Sequence, residues 1–386
     1  MTVKNNMPKN LGLYIHIPFC KQKCNYCDFY SLGCQESKIS NYIEALCEHI
    51  KREAPLYLEY EIDTIFLGGG TPSLIEPCDF ERLAKTIKNS LKITQNAEFS
   101  IEANPGTLTK DKLNCYIKNG VNRISIGLQS TSDTELKTLG RIHNLEKFKE
   151  SYILARECGL NNVNIDIMYG LPNQKLSDLA KTLRDVCDFN PEHISAYCLK
   201  IEENTPFYKM RDSLILPNDD EEYEMYIYLC DELKKYGYEQ YEISNFSKKG
   251  SRCVHNLKYW QSKEYIGFGP SAHSYFNSKR YFYENSVENY IKSLACVDNS
   301  PKKHYEEETS LEENGMDEYV MLKMRLSDGV NEQEFKEKFC TEFTKEYPQI
   351  LNYLNDEYIV YKNGAYCFTP KGFFVSNYIL SEILHF

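Results

Sequence analysis

Between Leu11 and Leu199, short runs of large apolar residues alternate with stretches of helical spacing. Strand-like runs cover residues 11–17, 62–67, 98–103, 123–128, 163–168 and 193–199. Helical periods cover residues 37–52, 77–91, 109–119, 132–139, 145–157 and 176–188. Alternation of this kind predicts an α/β fold with a parallel sheet and crossover helices. The series is too short for a closed eight-stranded barrel. An open partial barrel and a doubly wound sheet both fit the pattern.

The first strand runs straight into three cysteines, Cys20, Cys24 and Cys27, spaced C-x3-C-x2-C. Pro18 lacks an N–H and ends pairing just before them. Three soft thiolates on one loop suit an iron–sulfur cluster or zinc. Zinc wants a fourth ligand, which Cys34 or a distant His could supply. A [4Fe–4S] cluster held by three thiolates keeps one iron open to a ligand.

Polar and glycine residues recur where the other strands end: Gly68, Gly69, Gly70 and Thr71, then Glu102, Gln129, Asp166 and Lys200. Parallel α/β folds place their sites at the carboxyl ends of the strands. The glycine run can bring backbone close to a ligand, though a tight turn also uses such a run.

The chain of 386 residues carries a net charge of −11, which disfavours a nucleic-acid backbone as partner. No stretch approaches the ~20 apolar residues of a membrane span. No signal-type apolar run opens the chain, so a cytoplasmic protein is expected. In that compartment its 15 cysteines read as ligands or buried side chains rather than disulfides.

Tyr26 stands before the last motif cysteine, and YIHIPFC leads into KQKCNYC. In these residues the chain resembles the radical S-adenosylmethionine (SAM) superfamily, and within it the oxygen-independent coproporphyrinogen III oxidase family. That resemblance implies an open, partial (β/α)6 barrel. It also implies a [4Fe–4S] cluster on Cys20, Cys24 and Cys27. Tyr14, Gly69, Gly70, Thr71, Glu102, Gln129, Arg141, Asp166 and Lys200 match the family's SAM-binding positions. Glu102 and Asp166 can accept bonds from an amine or ribose, and Arg141 can pair with a carboxylate. Glu102 and Arg141 could equally pair with each other.

The decarboxylating members carry a fourth cysteine two residues after the third. Phe29 stands there in this chain. His255, Asn256, Tyr259 and Trp260 form H-N-x-x-Y-W, which marks a haem-chaperone branch. The resemblance thus implies haem as ligand and a haem-acceptor protein as partner. An electron donor and peripheral membrane contact stay open. Coproporphyrinogen decarboxylation is the alternative activity. His255 could ligate haem iron, with Asn256 supporting it and Tyr259 and Trp260 packing the macrocycle; a buried, hydrogen-bonded His is the plainer reading. His273, in GFGPSAH, reads as part of a tight turn that could also line a pocket.

Three segments are expected. Residues 1–245 form the barrel and cluster loop, 246–300 the HNxxYW segment and connection, and 301–386 a smaller helical, winged-helix-like C-terminal domain. The last includes a hairpin turning at Asn363 and Gly364, then a helix over 371–384.

Overall fold

Strand β1 (Lys9–Ile17) sets one apolar face, with Leu11, Leu13, Ile15 and Ile17 fully buried. Tyr14 and His16 alternate with them and point to the other face. In the computed structural model, which describes residues 9–33, 36–295, 299–306, 311–355 and 357–385, this strand pairs in parallel with β2 (Tyr60–Gly69). β3 (Ile93–Ala103) and β4 (Arg123–Gln129) continue the parallel series. The crossovers are α1 (Glu36–Glu53), α2 (Pro77–Ser90) and α3 (Lys110–Lys118), which pack in that order. α4 (Asp133–Thr138) and α5 (Leu145–Glu157) follow β4, and then come β5 (Val163–Tyr169), α6 (Leu176–Asp188) and β6 (His193–Cys198). The alternation read from the apolar runs is present element by element. After β6 comes a short helix, Pro206–Met210, capped by the Thr205 side chain.

The strands that extend the main sheet beyond β1 escape sequence reading. β7 (Tyr265–Phe268) lies parallel to β1, on the side away from β2. β8 (His273–Phe276), β9 (Lys279–Tyr283) and β10 (Lys303–Tyr305) then add antiparallel. They are short and carry polar residues on one face, so no long apolar run announces them. β1 therefore has partners on both sides.

The chain divides into two compact units. The first comprises Met1–Ile165, Lys200–Asp212 and Lys263–Glu306. The second comprises Asp166–Leu199, Ser213–Ser262 and Glu307–Phe386. In the second unit, β6 pairs with Asn245–Ser247, and α7 (Asp219–Lys235) packs on α6. The HNxxYW residues form a short helix, α8 (Val254–Trp260). The C-terminal part combines the helices Leu311–Met324 and Glu332–Phe339 with a three-stranded sheet. Its hairpin turns at Asn363 (φ 52) and Gly364 (φ 77), both left-handed as a type I′ turn requires. The helix expected over 371–384 is two helices, Pro370–Phe374 and Ser376–Ile383.

One buried polar knot ties α1 to the added strands of the first unit. Glu53 accepts from Lys303 Nζ at 2.7 Å, Tyr57 at 2.9 Å and Tyr283 at 3.3 Å, with His49 Nε2 at 3.5 Å. Burial pushes the Glu53 carboxyl up, but His49 and Lys303 overcome it and hold it down at about 2. A folded-state value below the ordinary 4.5 means stability present above that pH and lost as pH falls toward 2. Glu53→Gln keeps the shape and removes the charge opposite Lys303. The expected cost is about 2–3 kcal/mol at neutral pH, since breaking a partly buried pair strands its partner. Urea unfolding should also show a flatter pH dependence for the variant between pH 4.5 and 2. Equal midpoints for both proteins at pH 7 would remove the knot from the stabilising contacts.

Candidate functional site

Parallel pairing brings the ends of β1 to β4 to one edge of the sheet. The cysteine loop leaves β1 there and is closed at its base. Phe19–Cys20 pairs with Leu32–Gly33, and Leu32 N donates to Pro18 O at 2.8 Å. Its tip is pinned through Asn25. The Asn25 N–H donates to Leu139 O at 2.9 Å, its Nδ2 to Thr138 O at 2.9 Å, and its carbonyl accepts from Phe207 N at 2.9 Å. Gly140 (φ +74) sits directly beneath, where a Cβ would meet the Asn25 amide at 3.0 Å.

All three thiols are half-buried. Cys20 Sγ accepts from Thr71 Oγ1 at 3.5 Å, and Cys24 Sγ from Arg141 Nη1 at 3.4 Å. Burial pushes the Cys27 thiol up to about 11, and the neighbouring Cys24 and Cys20 add to it. Among the described residues, no three His, Cys, Asp or Glu side chains are already drawn together as a ligand set. The three thiols share one loop, feel one another's charge, and meet hydrogen-bond donors at two of the sulfurs. That donor chemistry fits a thiolate-held cluster, whose sulfurs are tuned by such bonds. Cys34, the alternative fourth ligand, lies outside the described residues.

Asn104, at the end of β3, joins the separate pieces. Its Nδ2 donates to Thr71 Oγ1 at 2.9 Å, and its Oδ1 accepts from Arg141 Nη2 at 2.8 Å. Arg141 Nη2 also donates to Gly127 O at 2.7 Å. Gln129 closes the group at the end of β4, where it adopts φ +74 and is nearly buried. A Cβ on Gly127 would fall 2.9 Å from Gln129 Nε2 and 3.2 Å from Arg141 Nη2. A buried non-glycine residue held left-handed is a strained feature typical of functional sites.

A second group lies nearer β1. Gly69 N donates to Glu102 Oε2 at 3.1 Å. Burial and the Glu102 charge push the Tyr14 hydroxyl well up, so it stays protonated. Tyr14 OH meets His16 Nδ1 at 3.0 Å, and His16 Nε2 meets Tyr30 O at 3.1 Å. Burial pulls the imidazole of His16 down to about 4, so it is neutral at physiological pH. Tyr14, Gly69, Gly70, Thr71, Glu102, Gln129 and Arg141 thus stand together in the first unit. Lys200 is exposed two residues after the end of β6, and Asp166 sits in the middle of β5 within the second unit.

Gly70 serves packing more directly than ligand approach. Its N–H donates to Ile17 O at 2.9 Å, and Thr71 N donates to Phe19 O at 2.8 Å. A Cβ there would lie 2.7 Å from Phe19 O. Asn104, Asn25 and His16 were not singled out from sequence. Asn104 follows a strand end, which was the one available signal.

In the second unit, α8 is tied to Tyr241, whose hydroxyl accepts from Cys253 N at 3.2 Å and meets His193 Nε2 at 2.7 Å. His255 is fully buried, and its Nε2 lies 2.8 Å from Tyr259 OH. Asn256, Tyr259 and Trp260 are half-buried. His255 therefore braces the helix from inside, whereas the two aromatic rings reach solvent. Among the described residues, no helix is long and apolar enough to cross a membrane.

Comparison with known proteins bears on this arrangement. Residues 14–186 match the radical SAM superfamily model, and residues 301–375 match the HemN C-terminal domain. Heme chaperone HemW of Bacillus subtilis is 34% identical over 375 residues, covering 96% of this chain and 98% of that protein. The Escherichia coli protein of the same name is 42% identical over 264 residues, covering 68% and 69%. Among solved structures, coproporphyrinogen III oxidase (HemN) from Escherichia coli, described as a radical SAM enzyme, superposes with a TM-score of 0.83. At 22% identity, over 98% of this chain and 91% of that one, that likeness shows a shared fold.

Proposed function

This chain belongs to the heme chaperone HemW family within the radical SAM superfamily, and from that premise we propose that it binds haem and passes it to an acceptor protein. The observation that carries the reading is full-length likeness to relatives named heme chaperones, joined to the strand-end thiol and glycine group. Cys20, Cys24 and Cys27 would hold a [4Fe–4S] cluster, which would supply one iron open to an outside ligand such as SAM.

The chain's own groups have assignable tasks in this reading. Thr71 and Arg141 donate to the sulfurs of Cys20 and Cys24. Asn104 holds both donors in register. Glu102 accepts from Gly69 N and is placed to accept from a ligand amine. Gln129 offers both a donor and an acceptor from a fixed backbone. Asp166 and Lys200 enter the SAM set by family resemblance alone. The cytoplasm is the compartment proposed.

Phe29 replaces the extra cysteine expected of the decarboxylating oxidases and is 64% exposed. The test pairs two measurements on the reconstituted full chain under anaerobic conditions. Ferric haem should bind and develop a Soret band without SAM turnover. Coproporphyrinogen with SAM and a reductant should yield no protoporphyrinogen. Robust decarboxylation, or no haem uptake, would overturn the proposal.

A further inference from the structure

The haem reading needs an iron donor that solvent can reach, and the structure narrows the choice. Of eight histidines, His16, His49, His143, His193 and His255 are buried. His273, His304 and His385 reach solvent. Among the described residues, His385 has no second imidazole beside it and sits against Asp317 and Tyr347, whereas His273 and His304 stand in one row.

That row follows from pleat and register. Gly12 pairs with Tyr265 and Tyr14 with Gly267, and Tyr265 pairs with Tyr275 across β7 and β8. Directly paired residues share a face of the sheet. Tyr275 and, two residues earlier, His273 are therefore on the face that carries Tyr14 and His16. Across β8 and β9, His273 pairs with Phe282 and Tyr275 with Arg280. Across β9 and β10, Phe282 pairs with His304.

The rings stack in that order. His273 and Phe282 centroids are 5.1 Å apart with planes inclined by 24°, and Phe282 and His304 are 5.3 Å apart at 16°. The Arg280 guanidinium lies over the Tyr275 ring at 4.9 Å. The opposite face of β9 carries Tyr281 and Tyr283, both buried. On the near face the side chain of His273 is 55% exposed, and Phe282, Arg280 and His304 are partly exposed. Glu306 Oε1 lies 3.6 Å from His273 Nδ1. A carboxylate at that nitrogen orients the ring and strengthens the other nitrogen as a metal donor.

Resting on the haem reading above, we infer that the iron porphyrin is received on this face, with His273 as axial donor rather than His255. An accessible imidazole supplies iron ligation. The stacked His273–Phe282–His304 row and Tyr275 offer apolar ring edges to the macrocycle, and Arg280 matches a propionate in charge and geometry. An open face suits a carrier that must release its cargo to another protein.

The test titrates ferric haem into the full chain and compares it with His273→Ala, His273→Ala/His304→Ala and His255→Ala. The double variant guards against the neighbouring imidazole taking over. It should lose the imidazole-type Soret and visible bands and bind roughly tenfold more weakly or worse, and free imidazole should restore the bands. His255→Ala, where it folds, should keep the wild-type spectrum. Wild-type spectrum and affinity in the double variant would discard this face while leaving haem binding intact. A wild-type spectrum of thiolate character would discard it as well. A wild-type chain that takes up no haem overturns the proposed function itself.

Discussion

Cys24→Ala leaves the reconstituted protein without iron–sulfur absorbance and with iron content near background. Cys20→Ala and Cys27→Ala give the same result. The loop holds one thiol for each of three irons, so removing any one leaves two, too few to retain a four-iron cluster. Cys34→Ala should keep full iron content, as should Cys78→Ala and Cys340→Ala, whose thiols are exposed elsewhere. Arg141→Ala should lower cluster retention by about 10–100-fold, the usual range for losing a group that supports a ligand. Its guanidinium bonds the Cys24 sulfur, Asn104 and the Gly127 carbonyl at once. Iron and sulfide assays with near-ultraviolet circular dichroism separate cluster loss from unfolding. Wild-type iron content in a folded Cys24→Ala protein would show that the three-thiolate assignment is mistaken.

Gly70→Val abolishes the cluster as well as SAM binding. The added Cβ would stand 2.7 Å from Phe19 O, 2.8 Å from Phe19 N and 2.9 Å from Ile17 O. These are backbone atoms, and two of them accept the bonds that seat the cysteine loop. They cannot yield as a side chain can, so the loop is forced off the end of β2. Gly69→Val acts differently. It strains a backbone at φ +109 and strikes the His16 ring at 2.5 Å. Turning that ring breaks its bonds to Tyr14 and Tyr30 but leaves the backbone bonds of Gly70 and Thr71 in place, so Gly69→Val should lose SAM affinity while retaining more of its iron. Iron retention measured beside SAM binding by calorimetry distinguishes the two. Equal iron content in both variants would contradict this division of labour.

The parallel α/β series was legible because each strand is a run of buried residues, as Leu13, Ile15 and Ile17 illustrate. The site's location was legible because parallel pairing forces strand ends together. The inner contacts were not. Arg141 could be assigned to a carboxylate by type, but its bond to Cys24 spans 117 residues and depends on Asn104. Glycines read as room for a ligand proved, at Gly70, to be room for the chain itself. His255 was proposed as a donor on motif grounds, yet its pairing with Tyr259 one helical turn away turns it inward. β7 stayed hidden because its pairing with β1 links distant segments, and the β8–β9 hairpin because its turn, Asn277-Ser278, lacks the glycine that signals such turns.

The place of β1 between β2 and β7 has a consequence for biosynthesis. Gly12 must wait for Tyr265 before its second neighbour exists. At about 5–20 residues per second, that separation keeps one side of β1 open for roughly 10–50 s on the ribosome. An open strand edge invites wrong partners, and such non-local pairing is intrinsically slow. The cysteine loop hangs from that same strand. Its final shape is therefore reached late, after most of the chain has emerged, and metal delivered earlier meets a loop whose supporting sheet is still incomplete.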